Sequence, residues 1–322
     1  MSNWRASVKI VVFDPALENV NAGDEIISTS VQSIPGLAVG DAERLTTHRL
    51  LRKDERRLVS EADLVVLSGT NAISSRMERF RQWLIDPDLA IRMRNKLLLV
   101  GVGWWQYQDE PNLYTRNLLR IILTDKLTHS TRDAYTNKRI TALGFSSLMT
   151  GCPTMWNLEE RAQRPLGRND RAVITITDYK RSDPEADRRW ISVVKEKYSE
   201  VGIVGMGPGD GSYFRELGIP DVVWKGAGVS SLDAALPGAD FVGTRLHAGV
   251  RALQCGQPAL ILAVDNRAFE ISKDSGLNVE SRWDTLAIHR SIHGRVQPSP
   301  LSIDYAAIRK WREAFGAHAG LR

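Results

Sequence analysis

The densest concentration of chemistry-bearing residues is Phe241-Val242-Gly243-Thr244-Arg245-Leu246-His247-Ala248. A strand-like run ends at Gly243, and a cation and an imidazole then open a helix-like stretch that runs to Cys255-Gly256. Arg245 offers a planar fork for a carboxylate or a phosphate. His247 can move a proton near neutral pH. A single His at a helix start more often caps or packs that helix. Here the strand end, the helix N-terminus and the adjacent Arg together point to an anion.

Three further clusters fit the same chemistry. Val264-Asp265-Asn266-Arg267-Ala268-Phe269-Glu270 follows the next strand-like run and places Arg267 at its carboxyl end. Ser130-Thr131-Arg132-Asp133 precedes a helix containing Tyr135. Asn21-Ala22-Gly23-Asp24-Glu25 opens another helix, where Gly23 permits close approach of a ligand and Asn21 or Asp24 equally suits a cap. Any of the Arg–Asp pairs also fits a solvated salt bridge. Two Gly-rich loops lack a dinucleotide or P-loop signature: Gln106 and Asp210 stand where a third Gly is needed, and neither loop has the P-loop Lys. Trp104-Trp105 suits either a core or a sugar-binding face. Cys152 and Cys255 have neither disulfide-framework nor zinc spacing, so a reducing compartment and no metal are expected.

Short β-branched and Leu-rich runs position these residues. They fall at Lys9–Phe13, Asp63–Ser68, Lys96–Val102, Ala172–Thr177, Gly202–Val204, Val222–Trp224, Phe241–Gly243 and Ala259–Val264. Helical spacing fills Asp24–Ile34, Arg76–Leu84, Pro184–Tyr198, Ser230–Ala235, Ala248–Gln254 and 302–316. This alternation predicts α/β architecture with parallel sheets. The chain of 322 residues suits two domains of about 150 residues each. Expected are an N-terminal domain over 1–156, a polar linker over 157–170 and a C-terminal domain over 171–322, with a cleft between them. Ligands of such sheets sit at the carboxyl ends of the strands.

Hydrophobic residues make up 43% of the chain and charged residues 25%, as in an ordinary folded protein. The net charge of +5 has no basic tail or one-sided domain behind it, which disfavours nucleic acid. Of the 43 basic residues, 32 are Arg; genomic bias accounts for this as readily as anion binding. The longest apolar run, 97–105, is far short of the roughly 18 residues a membrane span needs. A cytoplasmic protein is expected, with at most peripheral membrane contact.

Taken in order, these clusters resemble the polysaccharide pyruvyltransferase family. GTRLHAGVRALQCGQPALILAVDNRAFEISKDSGL (243–277) looks like its Arg-Leu-His helix start, its Gly-x-Pro before a strand, and its basic residue ahead of an acidic one. STRDAYTNKRITALGF (130–145) looks like its Arg-Asp segment, and TGCPTMW (150–156) like a variant ending of its first domain. The resemblance implies two Rossmann-like domains of the glycosyltransferase-B type. It also implies transfer of a pyruvyl group from phosphoenolpyruvate to a sugar as a ketal, in surface or exopolysaccharide biosynthesis at the cell envelope.

By this resemblance the catalytic His is His247 and the donor-binding Arg is Arg245, while Arg132 and Arg267 match the family's other important basic positions and would add cations for the donor. Many members have Lys where Arg267 stands, a Gly-rich turn where Ser68-Gly69-Thr70-Asn71 stands, and Asp where Cys152 stands. Leu246, Asn21, Gly23, Asp24, Lys180, Arg181 and Glu270 complete the expected substrate site. Asp24, Asp133 or Glu270 would partner His247 in proton transfer. No cofactor is expected beyond phosphoenolpyruvate as donor substrate. Two alternatives remain: a nucleotide-sugar-dependent glycosyltransferase, and a non-catalytic carbohydrate-binding relative.

Overall fold

The computed structural model describes residues 8–158, 163–180 and 183–320, apart from the side chains of Lys180, Asn266 and Arg267. It holds two compact units. The first comprises the chain to Asn19, Ile27–Trp156 and the segment from Asp304; the second comprises Val20–Ile26 and Asn157–Ile303.

The first half of the chain runs β1 (Ile10–Phe13), α1 (Ala22–Gln32), β2 (Glu43–Leu45), α2 (Lys53–Glu61), β3 (Leu64–Ser68) and α3 (Pro87–Arg92). It continues through β4 (Leu97–Val100), α4 (Leu113–Ile122), β5 (His129–Thr131), α5 (Ala134–Ala142) and β6 (Ser147–Met149). The strands form a parallel sheet in the order β2-β1-β3-β4, and β5-β6 forms a separate parallel pair. Buried on both faces, β1, β3 and β4 read as continuous apolar runs rather than alternating ones. Phe13, Val65, Leu67, Leu97 and Leu99 meet Trp83 and Met93 in one core.

His129, the first residue of β5, is fully buried, and its Nδ1 accepts the N–H of Leu99 on β4 at 3.2 Å. Burial lowers its pKa from 6.5 to about 4. Between these values the unfolded chain takes up a proton that the folded chain refuses. The stability this provides is complete above about pH 6.5 and is lost as the pH falls towards 4, by roughly 3 kcal/mol at the limit. Urea midpoints measured across this window should fall with pH, and His129→Gln should flatten that dependence. An equal slope in the variant would assign the acid sensitivity elsewhere.

The second half runs β7 (Arg171–Thr175), α6 (Pro184–Lys197), β8 (Glu200–Gly205), α7 (Asp210–Leu217), β9 (Val222–Ala227) and α8 (Val229–Ala235). It then runs β10 (Ala239–Gly243), α9 (Leu246–Gln254), β11 (Ala259–Ala263), α10 (Asn266–Ser275), β12 (Val279–Ser281) and α11 (Thr285–Ile292). All six strands are parallel, in the order β12-β11-β10-β7-β8-β9. That is the doubly wound order, and its direction reverses between β7 and β10. Trp190 of α6 packs with Ile174, Ile203, Val242 and Leu260 in the core.

Two expectations need correction. Residues 76–84 form turns rather than a helix, because their backbone and side chains are engaged elsewhere. The Arg76 carbonyl closes a single turn, Met77 N donates to Thr115 Oγ1, Leu84 N donates to the Thr47 carbonyl, and Trp83 is buried against Phe13. The final helix, α12 (Tyr305–Ala319), groups with the first unit rather than with the residues preceding it. Trp311 fixes it there, packing on Trp156 and donating from Nε1 to the Thr128 carbonyl at 2.9 Å. Among the described residues no helix is long and apolar enough to cross a membrane.

Candidate functional site

The order of the second sheet reverses between the paired strands β7 and β10, and the carboxyl edge at such a switch point is the usual ligand position in these sheets. Gly243 ends β10 so close to its neighbour that a Cβ would meet Thr175 N at 2.7 Å and Thr175 O at 2.8 Å. The chain then follows β7 for two more residues. Thr244 N donates to the Thr175 carbonyl, the Thr177 and Thr244 hydroxyls pair at 2.8 Å, and Arg245 N donates to Thr175 Oγ1 at 3.3 Å. Arg245 occupies the N-cap of α9, with Leu246 and His247 in its first turn. Gly249 lets that helix lie close against Ile261 and Phe241.

The Arg245 guanidinium is buried and committed. Its Nε donates to the Ile176 carbonyl at 3.0 Å, and its Nη2 reaches Asp178 at 3.0 Å and Asp210 at 2.5 Å. The Tyr179 ring lies 5.0 Å from its Cζ. Asp210 is fully buried and also accepts the N–H groups of Met206, Gly207 and Asp178. Burial pushes its pKa up, and the Arg245 guanidinium and the backbone donors oppose that shift. An internal carboxylate therefore takes amides of the Gly205–Gly211 loop, where a bound phosphate would otherwise find donors. Asp178, Tyr179 and Asp210 escaped sequence reasoning. Asp210 was visible only as the residue that spoils a dinucleotide fingerprint.

His247 is half-buried. A Cβ placed on Gly23 would lie 3.4 Å from its Nδ1, so the first turn of α1 lies against the imidazole. That turn is held by Asn21, whose Oδ1 accepts Gly23 N at 3.1 Å and whose Nδ2 donates to Asp24 at 3.0 Å. Ala22 N is tied to the Met206 carbonyl at 2.9 Å. Asn21 thus caps the helix while also fixing the turn that brings Gly23 beside His247. The two readings of this loop are compatible.

The other expected residues fall as follows. β10 and β11 are adjacent, so the backbone of Arg267, in the first turn of α10, follows the strand next to that of Arg245. The Arg267 and Lys180 side chains, and Arg181 altogether, lie outside the described residues. Glu270 is half-buried in the next turn of α10. Arg132 lies in the first unit at the carboxyl end of β5. Its guanidinium bonds to Asn71 and lies 3.8 Å from Asp133, over Gly103, where any Cβ would collide with it. Asp133 is occupied with Thr136, accepting both its N–H and its hydroxyl at 2.7 Å. Trp104 is a core residue donating to Ser75 Oγ, whereas Trp105 packs on Phe80. Among the described residues no group of three or more His, Cys, Asp or Glu is arranged to hold a metal ion.

Comparison with known proteins gives the family and the fold. A family model described as polysaccharide pyruvyl transferase matches residues 21–266. No curated protein matches the chain in sequence. Among solved structures, the UDP-GlcNAc 2-epimerase of Methanocaldococcus jannaschii, in complex with UDP-GlcNAc and UDP, is similar at 10% identity. The match covers 95% of this chain and 98% of that one, with a TM-score of 0.51. The lipopolysaccharide outer core galactosyltransferase WaaB is similar at 14% identity over 96% and 95% of the two chains, with a TM-score of 0.46. The fold is thus α/β with Rossmann-like domains of the glycosyltransferase-B type.

Proposed function

Because the chain belongs to the polysaccharide pyruvyl transferase family, we propose that it moves a pyruvyl group from phosphoenolpyruvate onto two hydroxyls of a sugar. The observation that carries this reading is the placement of Arg245 and His247 at the start of α9, at the switch point of the second sheet. The reaction protonates the donor's methylene carbon, which becomes the methyl group and leaves the central carbon cation-like. One sugar hydroxyl adds to that carbon and phosphate departs; the second hydroxyl then closes the ketal. Of the two hydroxyl protons, one balances the new methyl C–H bond and the other leaves with phosphate.

His247 is the group to carry one of these protons. Among the carboxylates considered, Asp24 follows Gly23 in the turn of α1 that meets His247. Asp133 is spent on capping α5, and Glu270 lies on α10. Asp24 is therefore the preferred partner. Donor binding falls to Arg245, whose Nη1 has no partner among the described residues, together with Arg267, which follows the adjacent strand. Phosphoenolpyruvate is the donor substrate in this reading, and the acceptor sugar is destined for the cell envelope. A cytoplasmic site of action follows, since the donor is a metabolite of that compartment.

A nucleotide-sugar glycosyltransferase would use the same architecture. It is disfavoured because Asp210 already occupies the amides that a diphosphate would use. The test is incubation with phosphoenolpyruvate and a panel of activated sugars, following phosphate release, alongside thermal melting with each ligand. Phosphate release that depends on a sugar, and stabilisation by phosphoenolpyruvate, are expected. Stabilisation by a nucleotide sugar alone, without phosphate release, would overturn the proposal.

A further inference from the structure

The first unit carries a surface that none of this chemistry uses. On α4, Thr115, Leu118, Leu119 and Ile122 face the core. Leu113, Arg116, Asn117, Arg120 and Ile121 therefore share the opposite face, and all are exposed. Leu113 is 72% exposed and Ile121 43%. Ile91 at the end of α3, a helix packed beside α4, is 70% exposed and is followed by exposed Arg94. At the other end of α4, Met77 N bonds to Thr115 Oγ1 and Asn112 Nδ2 bonds to Glu78 at 2.7 Å. The adjoining segment adds exposed Arg76, Arg79 and Arg81.

Charge pairing separates this surface from the rest of the unit. Even well-exposed arginines elsewhere hold carboxylates: Arg52 meets Glu55 at 2.8 Å, and Arg57 meets Glu61 at 2.6 Å. Arg76, Arg79, Arg81, Arg94, Arg116 and Arg120 form no ion pair among the described residues. The nearby acids, Glu78 and Asp125, are engaged by the side-chain amides of Asn112 and Asn95. A face that combines unpaired guanidinium groups with protruding Leu and Ile is satisfied by neither water nor a soluble anion. A nucleic acid would meet the cations and leave the apolar side chains wet. An anionic bilayer meets both, taking the apolar side chains at the acyl boundary and the guanidinium groups at the headgroup phosphates.

We propose that the exposed face of α4, with the adjoining residues 76–81 and 91–94, docks on an anionic lipid surface. This does not depend on the reaction assigned above. The test is co-sedimentation of the full chain with large vesicles of equal parts phosphatidylglycerol and phosphatidylcholine, against phosphatidylcholine alone. Binding to the mixed vesicles only is expected, weakening as salt is raised. R116Q/R120Q should lower vesicle affinity roughly 25-fold, at about fivefold for each cation near an anionic surface. L113S/I121S should weaken binding without changing its salt dependence, and both variants should keep the parent melting temperature. Equal binding to both vesicle types, or undiminished binding by R116Q/R120Q, would overturn the proposal. Capture of RNA or self-association through this face, without vesicle binding, would also overturn it.

Discussion

Replacing His247 by Ala should abolish turnover while leaving the fold and phosphoenolpyruvate binding largely intact. The start of α9 is held by backbone and hydroxyl bonds to Thr175 and by the Arg245 pairs with Asp178 and Asp210, none of which involves the imidazole. Removing the ring therefore leaves the anion-binding groups where they are. What is lost is a positioned proton carrier beside Gly23, worth roughly 10²–10⁴ in rate. His247→Gln keeps much of the size and polarity but cannot exchange the proton, so it should be as inactive as the Ala variant. Phosphate-release rates and donor-induced thermal shifts, measured on the three proteins, separate the two effects. Near-normal turnover in either variant would remove His247 from the mechanism, and loss of donor binding with the fold intact would make it a binding residue.

What could be read from the sequence depended on length and on burial. Seven of the eight longer strands announce themselves as apolar runs because parallel strands covered on both faces need apolar side chains on both, whereas the edge strand β9 is largely exposed and shows only the short run Val222–Trp224. The strands missed are Glu43–Leu45, His129–Thr131, Ser147–Met149 and Val279–Ser281, each of three residues. Three residues cannot display a period, and their neighbours rather than their own composition make them strands. The segment 76–84 failed in the opposite sense. Its apolar residues have helical spacing, yet Met77 and Trp83 are buried by different partners and the backbone bonds outward. Nor could sequence order show that α12 would leave the residues preceding it and pack on Trp156.

The site was legible where a residue type implies a chemistry and obscure where it only supports one. Arg245 and His247 stand out because a cation and an imidazole beside a strand end have few structural uses. The closeness of Gly23 to His247 joins residues more than 200 positions apart, and no local pattern could supply it. Asp210 was read as a defect in a Gly-rich loop. In the structure it is the acceptor around which that loop is built.

That inversion leads to the second large effect. Arg245→Ala should destabilise the protein by about 3–5 kcal/mol, because it leaves buried Asp210, with Asp178 beside it, without its cation. Lost donor binding in this variant would therefore say little about whether Arg245 touches the donor. Asp210→Asn alone removes the charge facing Arg245 and turns one of the two acceptor oxygens into an NH2 donor, which must then face either Met206 N and Gly207 N or Asp178 N and Arg245, so it too should cost stability. Combining the changes removes both charges together, and the double variant should recover roughly 1–3 kcal/mol relative to the sum of the single losses. Urea denaturation of the four proteins measures that coupling, and titration with phosphoenolpyruvate is then made on the double variant, in which Asp210 is no longer a buried charge without its cation. If Arg245 binds the donor through its remaining Nη1, the double variant folds and fails to bind. Strict additivity of the stability losses would show that the buried pairs are not coupled. Normal donor affinity in the folded double variant would reduce Arg245 to a pin that fixes the start of α9, leaving Arg267 to hold the anion.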